Sequence, residues 1–268
     1  MLSLSIITPV YNRKNKVLSS IKSSLSLVQS GYAEEIIVVD DASSDGSYEC
    51  IEKHFSEEIA QGWVKLYKLP ENIGVTGAKN FGARQASGEY LAFMDSDDVF
   101  LNNAGFLIHN VIKNNQKAAL FFFRCSDMNS GEQIGPKLSP RIVGLRYLLS
   151  YGTPGECLPV IARSIFCKYQ YDEKLRGCES LTYYYIANAG FLTLISDEVV
   201  RNYCNVGDDR LSAKKNINRR AKQLLVYNIK TLRFFLNMDV FHFVKVCLKI
   251  GKYSVLMSVN YLKNKFHD

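Results

Sequence analysis

The sequence predicts an α/β fold: an open, mostly parallel sheet flanked by helices, carrying a helical appendage at its C-terminal end. Three observations predict it. The first hundred residues alternate short β-rich runs with helical patterns, the rhythm of strand, crossover helix and parallel strand. Two of the strands, Ile36-Ile37-Val38-Val39 and Leu91-Ala92-Phe93-Met94, are apolar without a break, as strands covered on both faces must be. Polar residues then cluster where those strands end, at Thr8, Tyr11, Asn12, Asp40, Asp41, Asp95 and Asp97, and in such sheets ligands sit beyond the carboxyl ends of the strands.

Taken in order, a strand at Leu4–Thr8 leads to a helix at Lys16–Val28. A strand at Glu35–Asp40 precedes a helix at Gly46–Phe55, and a strand at Val64–Lys68 precedes a helix at Val75–Ala86. The strand Tyr90–Asp95 closes the series. Beyond residue 100 the pattern loosens: a helix near Asn102–Lys113, a strand at Ala118–Phe123, Gly/Ser/Pro-bearing loops at 129–140 and 150–160, a helix from Leu181 to Ala189, and strands at Leu192–Ile195 and Val199–Tyr203. From Lys214 onward two helices are expected, broken near Asn237-Met238-Asp239. The expected division is therefore 1–213 as one domain, with 1–98 binding a nucleotide and 99–213 shaping the second substrate's site, followed by a tail at 214–268.

The 268 residues, 47% hydrophobic and 22% charged, suit a folded domain and exclude disordered or collagen-like chains. Seven scattered cysteines, none in a Cys-x-x-Cys pair, suggest neither a disulfide framework nor a zinc site but free thiols. The N-terminus lacks a basic region and an apolar stretch of signal-peptide length, so a cytoplasmic location is expected.

Charge is unevenly placed. The whole chain carries +7, yet residues 214–268 hold 12 Lys/Arg against Asp239 and Asp268 alone. The second tail helix sets Val240, Phe241, Val244, Cys247 and Leu248 to one side with Lys245, Lys249 and Lys252 interspersed. No span reaches the roughly 18 apolar residues of a transmembrane helix. An amphipathic, basic, aromatic-rich tail suits the surface of an anionic membrane; packing on the domain or on a second subunit is the plainer alternative. No nucleic-acid motif is present, and nucleic acid is not an expected partner.

Three segments carry chemistry. In Phe93-Met94-Asp95-Ser96-Asp97-Asp98 an apolar strand ends in three carboxylates within four residues. Their repulsion and desolvation need an offset, and a hard divalent cation, Mn²⁺ or Mg²⁺, shared with substrate phosphate oxygens is a common one. An acidic turn or helix cap is the ordinary alternative. A second strand, Glu35–Asp40, runs into Asp41-Ala42-Ser43-Ser44-Asp45-Gly46, where a carboxylate can accept hydrogen bonds from a base or a ribose. A third leads through Thr8-Pro9-Val10-Tyr11-Asn12, placing an aromatic at the strand end.

In this order, and together with Glu71-Asn72-Ile73-Gly74, Gly77-Ala78-Lys79-Asn80-Phe81-Gly82-Ala83-Arg84 and Ala86-Ser87-Gly88-Glu89-Tyr90, these segments resemble the family 2 glycosyltransferases of the GT-A fold, a Rossmann-like sheet. The resemblance implies a nucleotide-sugar donor, with uridine diphosphate as the expected carrier. It implies that Pro9 and Tyr11 line the nucleotide pocket, Asp41 reads the base, Asp95 approaches the ribose, Ser96 is among the donor-binding residues, and Asp97, with Asp95 beside it, holds the metal that bridges the phosphates. Lys79 stands where the family often has Arg, keeping the charge but not the bidentate fork.

The resemblance thins after residue 100 and returns at Tyr171-Asp172-Glu173-Lys174-Leu175-Arg176-Gly177-Cys178-Glu179. There the family usually shows an acidic pair; here it reads Glu179-Ser180. Glu179 is the expected base, accepting the proton of an acceptor hydroxyl, and Asp172 the fallback; a helix-terminal charge is the alternative for Glu179. Val206-Gly207-Asp208-Asp209-Arg210-Leu211-Ser212 stands where the enzymes it resembles carry a mobile segment that closes over the donor; the resemblance implies that Arg210 neutralises the departing diphosphate, and a surface turn at Asp209-Arg210 is the plainer alternative. The implied reaction is metal-assisted, single-displacement and inverting, with a glycan or lipid-linked saccharide as acceptor, as in bacterial surface-polysaccharide assembly. The enzyme would sit on the inner face of the plasma membrane, with oligomerisation through the tail another use of that segment. The missing carboxylate at Ser180 motivates one rival, a catalytically impaired nucleotide-binding or scaffold protein. A dehydrogenase would need Gly-x-Gly-x-x-Gly after the first strand, and a pyrophosphorylase a Gly-rich basic loop; Pro9-Val10-Tyr11-Asn12-Arg13 is neither.

Overall fold

In the computed structural model the first strand, β1 (Leu4–Val10), is buried along its whole length. It pairs in parallel with β2 (Glu35–Asp40) on one side and β4 (Tyr90–Phe93) on the other, and β2 pairs in parallel with β3 (Val64–Lys68). The structure describes residues 2–204, 220–236 and 240–265, with side chains as far as 258. Between these strands lie helices α1 (Val17–Gln29), α2 (Ser47–His54), the short α3 (Ser56–Ala60) and α4 (Gly74–Gln85). All seven strands and longer helices expected before residue 100 are present.

The second half adds β5 (Val99–Phe100), α5 (Ala104–Asn114), β6 (Ala118–Asp127), β7 (Arg141–Val143), α6 (Leu145–Tyr151), β8 (Cys157–Ala162), α7 (Arg163–Phe166), α8 (Ser180–Asn188) and β9 (Leu192–Tyr203). The result is a mixed, mostly parallel sheet in the order β3-β2-β1-β4-β8-β6-β9-β5, with β7 paired to β9. Strand β8 is inserted antiparallel to both β4 and β6. This corrects the expected loop at 150–160, whose last residues enter the centre of the sheet. Pro159 opposite Phe122 disguised it, because a proline argues against a central strand. The two strands expected at 192–203 are one, β9, whose pairing with β6 shifts register around Arg124. Ser196-Asp197-Glu198 read as a break and is instead part of that irregular stretch.

Successive residues of a strand point to opposite faces, and two cores follow. Ile7, Ile37, Val39, Phe93 and Phe122 meet α4, α6 and α8 on one face; Ile6, Ile36, Val38, Met94 and Phe123 meet α1, α2 and α5 on the other. Helix α4 lies close on β1, since a Cβ on Gly82 would come within 2.6 Å of Ile7 Cγ2.

Two further helices, α9 (Ala221–Phe235) and α10 (Val240–Lys265), fall on either side of the break expected at 237–239. Phe234 and Phe235 of α9 and Val246 of α10 join the core that contains α8. Ser180 Oγ and Tyr227 hydroxyl lie 2.8 Å apart, and Arg233 stacks over Tyr185 at 4.4 Å. The first tail helix thus packs on the domain. No described helix is long and apolar enough to cross a membrane.

Candidate functional site

The carboxyl ends of β1 and β2 are laced to each other. Asn12 and Ala42 both adopt positive φ, 52° and 59°, an unusual conformation for residues with a Cβ. The Ser44 amide donates to Asn12 Oδ1 at 2.9 Å and the Asn12 amide to Ser43 Oγ at 3.0 Å. Asp45 takes the Lys14 amide at 3.1 Å and the Ser47 amide at 2.9 Å. The lacing leaves the Tyr11 ring 48% exposed at the strand end, while Pro9 lies buried in β1 opposite Val39.

Asp41 is buried and reaches across to the start of α4. Its two carboxylate oxygens accept the Ile73 and Gly74 amides, each at 2.8 Å, satisfying N–H groups that a helix start leaves free. Burial raises its pKa against the pull of those two amides. Gly74 is required here: its φ is +85°, and a Cβ would sit 2.2 Å from Arg176 Nε.

At the end of β4 the three carboxylates separate. Asp95 lies between two buried cations, Lys79 Nζ at 3.2 Å and Arg201 Nη1 at 3.5 Å. Burial favours its neutral form, but Lys79 and Arg201 outweigh that and hold its pKa below the usual carboxylate value. Ser96 is buried in the turn. Asp97 has Lys16 Nζ at 3.8 Å, and burial together with Asp95 raises its pKa. Asp98 is fully buried, 3.0 Å from Arg201 Nη1, and accepts the Cys204 amide at 2.8 Å. Burial, with Asp95 adding to it and Arg201 opposing, pushes Asp98 up to about 7.

Helix α4 also draws in the segment before α8. Asn80 Nδ2 donates to the Tyr171 carbonyl at 2.9 Å, and the Tyr171 amide donates to Asn80 Oδ1 at 3.0 Å, clamping the segment that leads to Glu179. Glu179 immediately precedes α8, and its Oε1 lies 4.0 Å from Lys79 Nζ. The carboxylates Asp95 and Glu179 together keep Lys79 charged although burial disfavours its cation. Asp172 turns elsewhere, pairing with Lys230 of α9. Ser180 is tied to Tyr227. Arg210 lies outside the described residues.

Two charged residues of this site were missed in the sequence. Arg201 of β9 is 2% exposed and touches Asp95, Asp98 and Cys125, with Glu156 Oε2 at 4.0 Å from its Nη2. Its signal was available: an arginine after Val199-Val200 in a buried strand must find carboxylates. Glu156, at the mouth of β8, had no signal once its segment read as a loop. The floor of the site is therefore a row of alternating charge, Glu179, Lys79, Asp95, Arg201 and Glu156, with successive separations of 4.0, 3.2, 3.5 and 4.0 Å.

Among the described residues no three His, Cys, Asp or Glu side chains gather to cage a metal ion. A Mg²⁺ or Mn²⁺ that shares a substrate's phosphate oxygens needs only one or two carboxylates, and Asp97 fits that need: it is partly exposed and carries repulsion from Asp95 that a cation would relieve. Asp95 fits it less directly, since both its oxygens already face cations.

A mostly parallel sheet ending in paired carboxylates, with an aromatic at the first strand end and a carboxylate at the start of α8, is the arrangement of a GT-A fold. The profile of Glycosyl transferase family 2 matches residues 5–155, and the chain belongs to that family. It is 30% identical over 159 residues to the Escherichia coli UDP-Glc:alpha-D-GlcNAc-diphosphoundecaprenol beta-1,3-glucosyltransferase WfgD, covering 59% of each chain. It is 39% identical over 100 residues to an uncharacterized Haemophilus influenzae glycosyltransferase, 37% of this chain and 38% of that protein. The matches thus span less than two thirds of the length of these relatives. Among solved structures, Staphylococcus aureus TarS 1–349 in complex with UDP-GlcNAc superposes with a TM-score of 0.68 at 18% identity, covering 94% of this chain and 71% of that one. The Pyrobaculum calidifontis mannosyltransferase PcManGT, in complex with GDP-Man and Mn²⁺, gives 0.65 at 17% identity, covering 97% and 75%. The fold is that of GT-A enzymes.

Proposed function

We propose that this chain transfers a sugar from a nucleoside-diphosphate sugar, with uridine diphosphate as carrier, to a hydroxyl of a glycan or lipid-linked saccharide, with inversion at the anomeric carbon. The observation that carries the reading is the row of alternating charge, which sets Glu179 across Lys79 from the Asp95 carboxylate at the end of β4. The UDP-linked donor and diphosphoundecaprenol acceptor in the name of WfgD, and the UDP-GlcNAc bound by TarS, support the choice of substrates.

The Tyr11 ring stacks on the base and Asp41, each of whose oxygens retains a lone pair beyond the amide it accepts, receives a base N–H. Asp95 meets the ribose, held in place by Lys79 and Arg201. When bound on Asp97, a Mg²⁺ or Mn²⁺ supplies Lewis-acid neutralisation of the diphosphate; the Mn²⁺ that accompanies GDP-Man in PcManGT is consistent with this use. Glu179 takes the proton as the acceptor oxygen bonds to the anomeric carbon, and the bond from that carbon to the diphosphate oxygen breaks with its electron pair. A lipid-borne acceptor places the reaction at the inner face of a bacterial membrane.

One observation favours a second reading, a nucleotide-binding protein without turnover: Ser180 replaces a carboxylate of the family pattern and is engaged by Tyr227. Incubation with radiolabelled nucleotide sugars separates the two. Transfer or donor hydrolysis that falls at least about a hundredfold in Glu179→Gln, with uridine diphosphate affinity retained, is expected. Tight nucleotide binding with no turnover by the native chain would establish the second reading. Titration of uridine diphosphate with and without Mn²⁺ tests the metal: affinity that needs neither Mn²⁺ nor Asp97 removes it from the scheme.

A further inference from the structure

Helix α10 has two apolar faces, and the protein covers one of them. Phe243, Val246 and Ile250 turn inward to the core shared with α9. Val240, Phe241, Val244, Cys247, Leu248 and Val255 are exposed instead, Val240 at 77% and Leu248 at 68%. At about 100° per residue these outward residues form one stripe along the helix. Lys245, Lys249 and Lys252 fall together on one flank of it and are exposed. The apolar side legible in the sequence is therefore the side the fold leaves uncovered, because a different set of residues does the packing.

We propose that this stripe seats the protein on an anionic membrane surface, the apolar side chains entering the headgroup boundary and the lysines meeting lipid phosphates. Charge decides between occupants. From 211 to 268 the only carboxylate side chains are Asp239 and Asp268, so a second copy docking through the same face would set lysines against lysines. A nucleic acid would satisfy the lysines but not a row of valines, Phe241 and Leu248. An anionic bilayer matches both the apolar stripe and the cationic flank. The surface rests on the membrane placement of the proposed reaction, but its test does not use the chemistry.

The full chain is floated with vesicles of phosphatidylglycerol and phosphatidylcholine, and separately with phosphatidylcholine alone. The native chain floats with the anionic vesicles. Val244→Glu/Leu248→Glu, two exposed positions away from the packed face, lowers the bound fraction at least about tenfold, and Lys245→Glu/Lys249→Glu/Lys252→Glu does the same. Uridine diphosphate titration of each variant checks that the nucleotide domain is intact. A native chain that stays with the dense fraction, or variants that float as it does, overturns the proposal. So does a native dimer that Val244→Glu/Leu248→Glu dissociates without any flotation, which would assign the face to a second copy. Transfer activity that fails while flotation holds removes the enzymatic reading and leaves the surface standing.

Discussion

The side of this protein proposed to bind the donor, residues 2–98, and the side proposed to take the acceptor, from Val99 to Cys204, are stabilised in different ways. On the donor side, polar groups are satisfied by neighbours at strand ends: Asn12 with Ser43 and Ser44, Asp45 with Lys14 and Ser47, Asp41 with the start of α4. On the acceptor side, buried arginines of two long strands hold distant segments. Arg124 of β6, fully buried, donates to the carbonyls of Pro154, Ile134 and Pro136 at 2.5, 2.9 and 2.7 Å. Arg201 of β9 does the equivalent for Asp95, Asp98 and Glu156. The site lies where the two schemes meet, and its charged floor belongs to both.

The largest expected effect breaks the meeting point. Arg201→Met removes the cation shared by Asp95 and the fully buried Asp98, and breaking such a buried ion pair costs about 3–5 kcal/mol. Chemical denaturation should show that loss. Adding Asp98→Asn should recover part of it, since one of the two carboxylates left without their shared cation is then gone. A double variant no more stable than the single one would mean that Arg201 acts by packing.

A second test addresses the donor side alone. Glu35, at the start of β2, is 2% exposed and accepts hydrogen bonds from Ser5 Oγ at 2.6 Å and from the Ser87 amide and hydroxyl at 2.7 Å each, with Lys65 Nζ at 2.5 Å. Burial would raise its pKa, but Lys65, Ser5 and Ser87 together lower it to about 2 from 4.5. Between those values the unfolded chain binds more protons than the folded one, so this stability rises with pH. It is fully present above the unfolded value and lost as pH falls through about 2. The shift corresponds to about 3 kcal/mol. Glu35→Gln should therefore destabilise at pH 6 by that order and converge toward the native chain near pH 2; a difference independent of pH would mean the loss is one of shape.

The same contrast explains what the sequence made legible. Before residue 100 each element obeys a local rule: continuous apolar strands, helical patterns between them, polar residues at strand ends. These rules act over a few residues, so the strands, helices and the carboxylates at the strand ends could be read directly. Beyond residue 100 the governing contacts are long-range. Arg201 meets Asp98 across 103 positions of chain, β8 carries a proline in a central strand, and β9 keeps one direction through a polar interruption. Glu179 was found only because a family pattern marks its place, and Glu156 was not found because no local pattern surrounds it.

The smallest effect sharpens the contrast where the site opens to solvent. Glu156 is 52% exposed and lies beyond Arg201 from Asp95. Tyr11 is about as open at the opposite, donor end. If the row of charge divides donor from acceptor as proposed, Tyr11→Ala should weaken uridine diphosphate binding by about 1–2 kcal/mol, the scale of a lost base–aromatic stack. Glu156→Gln should leave that affinity within about twofold, because a half-exposed carboxylate 4.0 Å from its partner contributes little on its own, while the ratio of transfer to donor hydrolysis falls. Calorimetry and a product assay read the two quantities separately. An equal loss of nucleotide affinity in both variants would place Glu156 on the donor side and make the charged floor one continuous donor pocket.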